Sequence, residues 1–390
     1  MKILLLGEYS NVHATLAAGL RHLGHEVLLV SNGDFWKDYP RDIDLSRRST
    51  HASGMAYMLK LLTLLPKFRG YDVVQLINPM FLELKAERIL PVYRYLRRHN
   101  RKVVLGAFGM DHYWADICSR LMPLRYSDFN IGHTLRHDRE AEAYRREWTG
   151  GTAKERLNRT IAADCDGIVA GLYEYWVCYA ATPLAAKTTY IPFPIVCNDA
   201  DRRLGDLPTE HHGPLRMFIG INAERSVYKG TDIMLRAAED IVKRYPGRAV
   251  LNKAVSVPFE EYRKLMASSD IILDQLYSYT PSMNPLEAMR QGIVCVGGGE
   301  ADFYHFIGED SCRPIINVEP SYESVFAQLE QLVHHPERLP MLKRQSIEFV
   351  RKHHDYIKVA RQYVAYWSSL GTARPTGNAE KTTDNTVNKQ

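Results

Sequence analysis

The chain has 390 residues, 45% hydrophobic and 24% charged, a balance that excludes a disordered or fibrous protein and allows two domain cores. Lys+Arg number 50 against 45 Asp+Glu, and a net charge of +5 is too mild to argue for a nucleic-acid partner. The six cysteines form no CxxC pair and no apolar run approaches the ~20 residues of a membrane span, so a cytoplasmic protein with buried, reduced thiols is expected.

Lys2-Ile-Leu-Leu-Leu-Gly7 reads as a buried first strand closed by the loop Glu8-Tyr9-Ser10-Asn11. Apolar residues at Leu16, Ala17, Leu20 and Leu23 predict a helix stopped by Gly24, and Glu26 to Val30 a second strand. Further strands are predicted at Val73 to Ile77, Val103 to Leu105, Gly167 to Ala170 and Thr189 to Ile191, with a helix over Ala86 to Arg98. Strands alternating with helices make a parallel sheet covered on both faces. The segment Met55 to Arg69 is apolar with basic punctuation. It reads first as a core helix and second as a helix lying on a membrane. The basic run Arg94 to Lys102 reads first as a solvated helix end and second as a contact for an anionic membrane. Between Asp111 and Asp164 the pattern breaks into a polar, aromatic, Arg-rich stretch whose segment Arg136 to Arg146 is predicted helical and poor in core residues, and such an insert serves binding.

The polar run Asn198 to Pro214 reads as a linker, after which the alternation restarts. Strands are predicted at Arg216 to Ile221, Arg248 to Leu251, Ile271 to Asp274, Ile293 to Val296 and Pro314 to Val318. Three closing helices run over Tyr322 to His334, Glu337 to His354 and Tyr356 to Leu370. The expected fold class is α/β, two similar halves facing each other across a cleft. The divisions are residues 1–196, a linker 197–214, a second domain 215–355, a helix 356–370 crossing back to the first domain, and a disordered tail 371–390.

Two stretches of the second half carry chemistry. Arg225-Ser-Val-Tyr-Lys229-Gly230 places two cations at the mouth of a helix that begins near Thr231, and Ser282-Met-Asn-Pro-Leu-Glu287 runs from an irregular loop into a helix with a carboxylate in its first turn. Both follow apolar strands, so a parallel sheet aims both helix N-termini at its carboxyl edge. Arg225, Lys229 and the backbone N–H groups around Ser282, Met283 and Asn284 suit a pyrophosphate, and Glu287 suits sugar hydroxyls. Asp111 and His112 follow Gly106-Ala-Phe-Gly109 at the same kind of edge. Either could orient or deprotonate an acceptor hydroxyl, and a helix N-cap is an equal reading of Asp111. Gly7, Glu8 and Tyr9, with Asn11 and His13, are weaker cleft candidates. The triple Gly297-Gly-Gly299 before Glu300 reads equally as a loop near the donor or as a flexible turn. The DxD pairs Asp42/Asp44 and Asp199/Asp201 lie in polar loops and the paired histidines lack further ligands, so no metal site and no cofactor are predicted.

In order and spacing these segments resemble the GT-B glycosyltransferases, two Rossmann-like domains, and specifically the retaining family 4 type. The resemblance rests on the opening MKILLLGEYSNVHATLAAGL, on Ile161-Ala-Ala-Asp-Cys-Asp-Gly-Ile-Val-Ala170, on Lys187-Thr-Thr-Tyr-Ile-Pro-Phe-Pro194, on Gly220 to Gly230, and most specifically on Leu265 to Asp274 followed by Pro285 to Val296. It implies a nucleotide-sugar donor, a glycan or lipid-linked acceptor, retention without a side-chain nucleophile, and a ribose role for Glu287. The family has a second glutamate eight positions earlier, where this chain has Tyr279. That departure puts the donor sugar, and activity itself, in question. The alternatives are a catalytically degenerate GT-B protein that binds nucleotide-sugar or glycan, and a GT-B sugar-nucleotide epimerase. Peripheral contact with the inner face of a membrane is the expected extension of a cytoplasmic location.

Overall fold

The computed structural model describes residues 1–47, 53–197, 207–255, 257 and 259–371. The first half runs β1 (Lys2–Leu6), α1 (Val12–His22), β2 (Glu26–Ser31), β3 (Ile43–Asp44), α2 (Ser53–Leu64), β4 (Val73–Leu76), α3 (Ala86–His99), β5 (Lys102–Ala107), α4 (His112–Arg120), β6 (Asn130–Ile131), β7 (Thr134–Leu135), α5 (Arg139–Trp148), α6 (Ala153–Asp164), β8 (Gly167–Ala170), α7 (Tyr173–Ala180) and β9 (Thr188–Tyr190). The second half runs β10 (Leu215–Ile221), α8 (Ser226–Lys229), α9 (Thr231–Arg244), β11 (Ala249–Val255), α10 (Phe259–Ala267), β12 (Ile271–Leu273), α11 (Met283–Arg290), β13 (Val294–Gly297), α12 (Ala301–Phe306), β14 (Ile316–Asn317), α13 (Tyr322–His334), α14 (Leu339–His353) and α15 (Tyr356–Ser369).

Seven strands pair in the order β3-β2-β1-β4-β5-β8-β9 and five in the order β11-β10-β12-β13-β14, every pairing parallel. The central strands are continuous apolar runs because helices cover both faces: Ile3, Leu4, Leu5 and Leu6 are all buried, and Leu4 pairs Leu28 on one side and Val74 on the other. In each sheet the chain winds outward and then resumes beside its starting strand, between β1 and β4 and again between β10 and β12. A crevice opens beyond the strand ends at such a switch point. The loops that line these crevices are therefore residues 7–11 and 77–85 in the first half, and 222–230 and 274–282 in the second.

The closing helix α15 packs against α1 of the first half. Lys102 Nζ donates to Trp367 O at 2.6 Å, Trp367 Nε1 to Gln75 Oε1 at 3.3 Å, and Tyr366 Oη to Lys187 O at 2.7 Å. Residues 198–206 of the expected linker and 372–390 of the expected tail lie outside the described residues.

Within the stretch Asp111 to Asp164 the segment Arg136 to Arg146 falls largely in α5, and the stretch as a whole owns a core: Trp114, Ile117, Phe129 and Trp148 are buried in one cluster with Tyr228 and Tyr279 of the second half. The pattern was hidden because the cluster is closed by Tyr228 and Tyr279, which lie far away in sequence. Around it the two halves are tied by polar contacts. Arg136 Nη2 donates to Val227 O and Tyr228 O, both at 3.1 Å, and its guanidinium lies 3.4 Å from the Tyr277 ring centroid. Buried Glu174 accepts from Ser278 Oγ at 2.9 Å and Thr280 Oγ1 at 2.6 Å. Glu300, read from sequence as part of a donor loop or flexible turn, instead takes Arg125 at 2.5 Å and the Tyr126 hydroxyl at 2.6 Å. No helix among the described residues is long and apolar enough to cross a membrane.

Candidate functional site

The switch point of the second sheet gathers the cations. After β10 the chain makes a short 3₁₀ turn over Ala223–Arg225 and the single turn α8, so Arg225 and Lys229 are spaced by four residues and share a face. Gly230 then takes φ +71°, and a Cβ there would lie 2.6 Å from Leu276 Cβ, which is why a glycine must follow Lys229. Lys229 O accepts from Leu276 N at 2.8 Å and so locks this turn to the loop after β12.

Arg225 Nε is buried and has no hydrogen-bond partner among the described residues. A buried guanidinium donor left open is costly, and an anion would satisfy it. The Lys229 ammonium forms no ion pair among the described residues. Burial lowers its pKa, while the nearby Asp274 opposes that shift. Burial pushes the Asp274 carboxyl up to about 6 against Lys229 and a hydrogen bond from Asn284. Asp128, which the sequence reading missed, is raised by burial too, and it lies in the field of Arg136 and Arg225. Burial thus weakens the ionisation of both carboxylates, a bias favourable to a bound anion. Nothing in the local sequence singles out Asp128. It reaches the site because the insert folds against α8.

α11 supplies the other wall. Ser282 is its N-cap and makes no side-chain cap bond, so the first amides of the helix remain uncapped by it. Met283 is buried, and Asn284 Oδ1 accepts from Tyr262 Oη at 3.0 Å. Glu287 is forked by Arg290 at 2.5 and 3.0 Å, which leaves further lone pairs on its two oxygens. Across the cleft, Tyr39 of the first half feels the charges of Asp34, Glu8 and Glu287 together, which places the Glu287 wall opposite the loops that follow β1 and β2.

The first sheet's switch point is arranged differently from expectation. Gly7 takes φ +84°, and a Cβ would lie 2.3 Å from Ile77 Cγ2. Tyr9 is half-buried and faces Gly109 of the loop after β5. Glu8 is corrected from a cleft residue to an internal cap. Its oxygens accept from His13 N at 3.1 Å and Ala14 N at 2.8 Å, so the amides of α1 are already occupied. Burial raises its pKa from 4.5 to about 8, against those two amides. The folded state therefore holds a proton there that the unfolded chain has lost, and stability falls as pH rises from 4.5 to about 8. Glu8→Gln is expected to flatten that decline in thermal melts across the window.

Asp111 is corrected in the same way. Its Oδ1 accepts from Trp114 N at 2.8 Å as the α4 N-cap, and its Oδ2 accepts from Tyr179 Oη at 2.7 Å. Of the two equal readings, the cap describes this carboxylate. His112 is buried with Nδ1 2.9 Å from Trp148 O and its backbone N–H on Asn158. Neither side chain joins the Arg225–Lys229 cluster, because α4 turns both into the insert's core. Tyr279 is buried as well; its hydroxyl accepts from Arg125 N at 2.7 Å and its ring stands 4.8 Å from Tyr126. A separate hollow of about 440 Å³ is lined by Trp176, Tyr190, Phe306 and His353, and none of the switch-point loops borders it. Among the described residues no three His, Cys, Asp or Glu side chains converge as a metal site would require.

Two parallel sheets with apposed switch points and a helix returning to the first half define the GT-B fold. No family model and no curated protein matches the sequence. Solved structures do match. HepE of Anabaena in complex with UDP-glucose is 13% identical with a TM-score of 0.57, over 95% of this chain and 100% of that one. WaaG, a glycosyltransferase involved in lipopolysaccharide biosynthesis, is 14% identical with a TM-score of 0.53, over 95% and 100%. The UDP-GlcNAc 2-epimerase from Neisseria meningitidis bound to UDP-GlcNAc is 12% identical with a TM-score of 0.50, over 94% and 99%. At these identities the likeness establishes the GT-B fold.

Proposed function

We propose that the protein is a glycosyltransferase of the retaining, family 4 type, moving a sugar from a nucleotide-sugar to a glycan or lipid-linked acceptor. The observation that carries this reading is the pairing of Arg225 and Lys229 at the second switch point, with the Arg225 Nε–H buried and unpartnered among the described residues. A nucleoside diphosphate gains negative charge as the anomeric C–O bond stretches, and fixed donors that meet this charge lower the barrier. Arg225 would take two phosphate oxygens in a fork, Lys229 a third as a point charge, and the open amides at Met283 and Asn284 the remainder. In this scheme those groups do the work for which other transferases use a metal. Glu287 would accept from the ribose hydroxyls.

Two residues change role. Asp111 leaves the proposed machinery because both oxygens are engaged. Asp128, within the field of both Arg136 and Arg225, joins it as a positioning residue for Arg225.

A second reading, a nucleotide-sugar-binding GT-B protein without transfer, is favoured by one observation: Tyr279 occupies the place of the family's sugar-contacting glutamate and spends its hydroxyl on Arg125. Incubation with a panel of radiolabelled nucleotide-sugars separates the readings. Release of nucleoside diphosphate that accelerates with added glycan or lipid acceptor supports transfer. Donor consumption without acceptor indicates an epimerase, and binding without turnover indicates the degenerate protein.

A further inference from the structure

We infer that α2 and the C-terminal half of α3 form a docking face for an anionic phospholipid bilayer. One side of α2 is core, with Tyr57 and Leu61 buried, and Phe68 just beyond the helix is buried too. The opposite side presents Met55, Leu59 and Leu62 at helical spacing, 75%, 59% and 53% exposed. An apolar stripe this open on a helix that already has a packed face needs a second apolar environment. Around it stand Lys60, Lys67 and Arg69, and none has an ion-pair partner among the described residues. Tyr95 Oη donates to Leu65 O at 3.0 Å, which brings the C-terminal half of α3 alongside. Arg94 and Arg98 are exposed on that part of α3, four residues apart, again without an ion pair among the described residues.

Acidic groups are missing where they would spoil such a face. No Asp or Glu occurs between Asp44 and Asp72. Asp72 is engaged by Lys2 N and Arg101, and Glu83 by Asn32 and the backbone of Arg47. Exposed Glu87 stands at the far end of α3, about three turns from Arg98. Leucine and methionine flanked by free cations match a lipid surface, whose interior takes the apolar groups and whose phosphates take the cations. A second copy of the chain fits less well, since a two-fold contact would set these cations against each other. The face also borders the cleft: Tyr57 Oη accepts from Glu83 N at 3.3 Å, and Glu83 belongs to the loop after β4 at the first switch point. A bilayer held there would lie beside the half of the cleft opposite the Arg225–Lys229 wall.

The inference does not rest on sugar transfer, and its test needs no nucleotide. Cosedimentation of the full chain with phosphatidylcholine vesicles, with and without phosphatidylglycerol, is expected to show binding to the anionic vesicles alone, weakened by salt. Lys60→Ala with Lys67→Ala should weaken binding about fivefold per cation, and Leu59→Ser with Leu62→Ser about tenfold or more. Both double variants should keep the parent melting temperature, because the altered side chains are exposed. Equal binding to neutral vesicles, or unchanged binding in both variants, overturns the proposal. So does a dimer in sedimentation velocity that Leu59→Ser with Leu62→Ser converts to monomer while vesicles bind neither form.

Discussion

Lys229→Ala is expected to reduce the affinity for UDP roughly ten- to hundredfold in isothermal titration calorimetry, and Arg225→Ala by a similar factor. Each removes a charge-assisted hydrogen bond to a phosphate oxygen, worth about 1.5–3 kcal/mol. The Lys229 ammonium has no ion-pair partner among the described residues and its burial already lowers its pKa, so its removal should cost the fold little. For Arg225 the same holds in part: its Nε–H has no partner among the described residues, and its guanidinium lies 5.3 Å from the Tyr228 ring centroid. Melting temperatures near the parent value, combined with lost affinity, would assign both residues to the ligand. Glu287→Ala should lower affinity for UDP while leaving that for inorganic pyrophosphate unchanged, because a ribose contact is what it contributes. Unchanged UDP affinity in both cation variants would reject the pyrophosphate assignment.

The largest expected effect on stability lies at Asp270, outside the site. This carboxylate is fully buried at the foot of β12, where Arg216 reaches it at 2.8 and 3.0 Å, Arg216 N at 2.9 Å and Lys343 Nζ at 2.6 Å. It pins α14 to the edge between β10 and β12. Asp270→Ala leaves the buried Lys343 ammonium unpaired and should destabilise the second half by about 3–5 kcal/mol in chemical denaturation. Hydrogen bonds and charge from Arg216 and Lys343 outweigh burial and hold its pKa down to about 2, against an ordinary 3.8. Because the folded pKa is depressed, this stabilisation is complete above pH 3.8 and is lost as pH falls toward 2. Acid denaturation of the parent should show that loss, and the Asp270→Ala variant should lack it.

Much of the fold was legible because buried parallel strands declare themselves: Ile3 to Leu6, Val103 to Leu105 and Ile271 to Leu273 are apolar throughout and bounded by polar loops. The site was partly legible for the same reason. Strand, cations, glycine and helix occur in a row at Ile219 to Thr231, and local order fixes which edge of the sheet they reach. What stayed hidden depends on contacts between distant segments. Tyr279 reads as a substitution in a donor motif, yet its partners Arg125 and Tyr126 lie more than a hundred residues earlier, in the polar, aromatic insert. Glu8 and Asp111 look like cleft carboxylates in sequence. Each caps the helix that follows it, which for Asp111 was one of two equal readings and for Glu8 is set by the amides of His13 and Ala14 that meet its carboxyl group. Asp128 carries no motif at all. It becomes part of the site through the packing of the insert on α8.

The central claim is that one nucleoside diphosphate occupies the second switch point, and a crystal structure of the protein soaked with UDP tests it most directly. The account predicts the diphosphate between the Arg225 guanidinium and the Lys229 ammonium, with the ribose hydroxyls on Glu287. Electron density for UDP in the separate hollow beside Trp176 and Phe306, with the Arg225–Lys229 turn left empty, would contradict it.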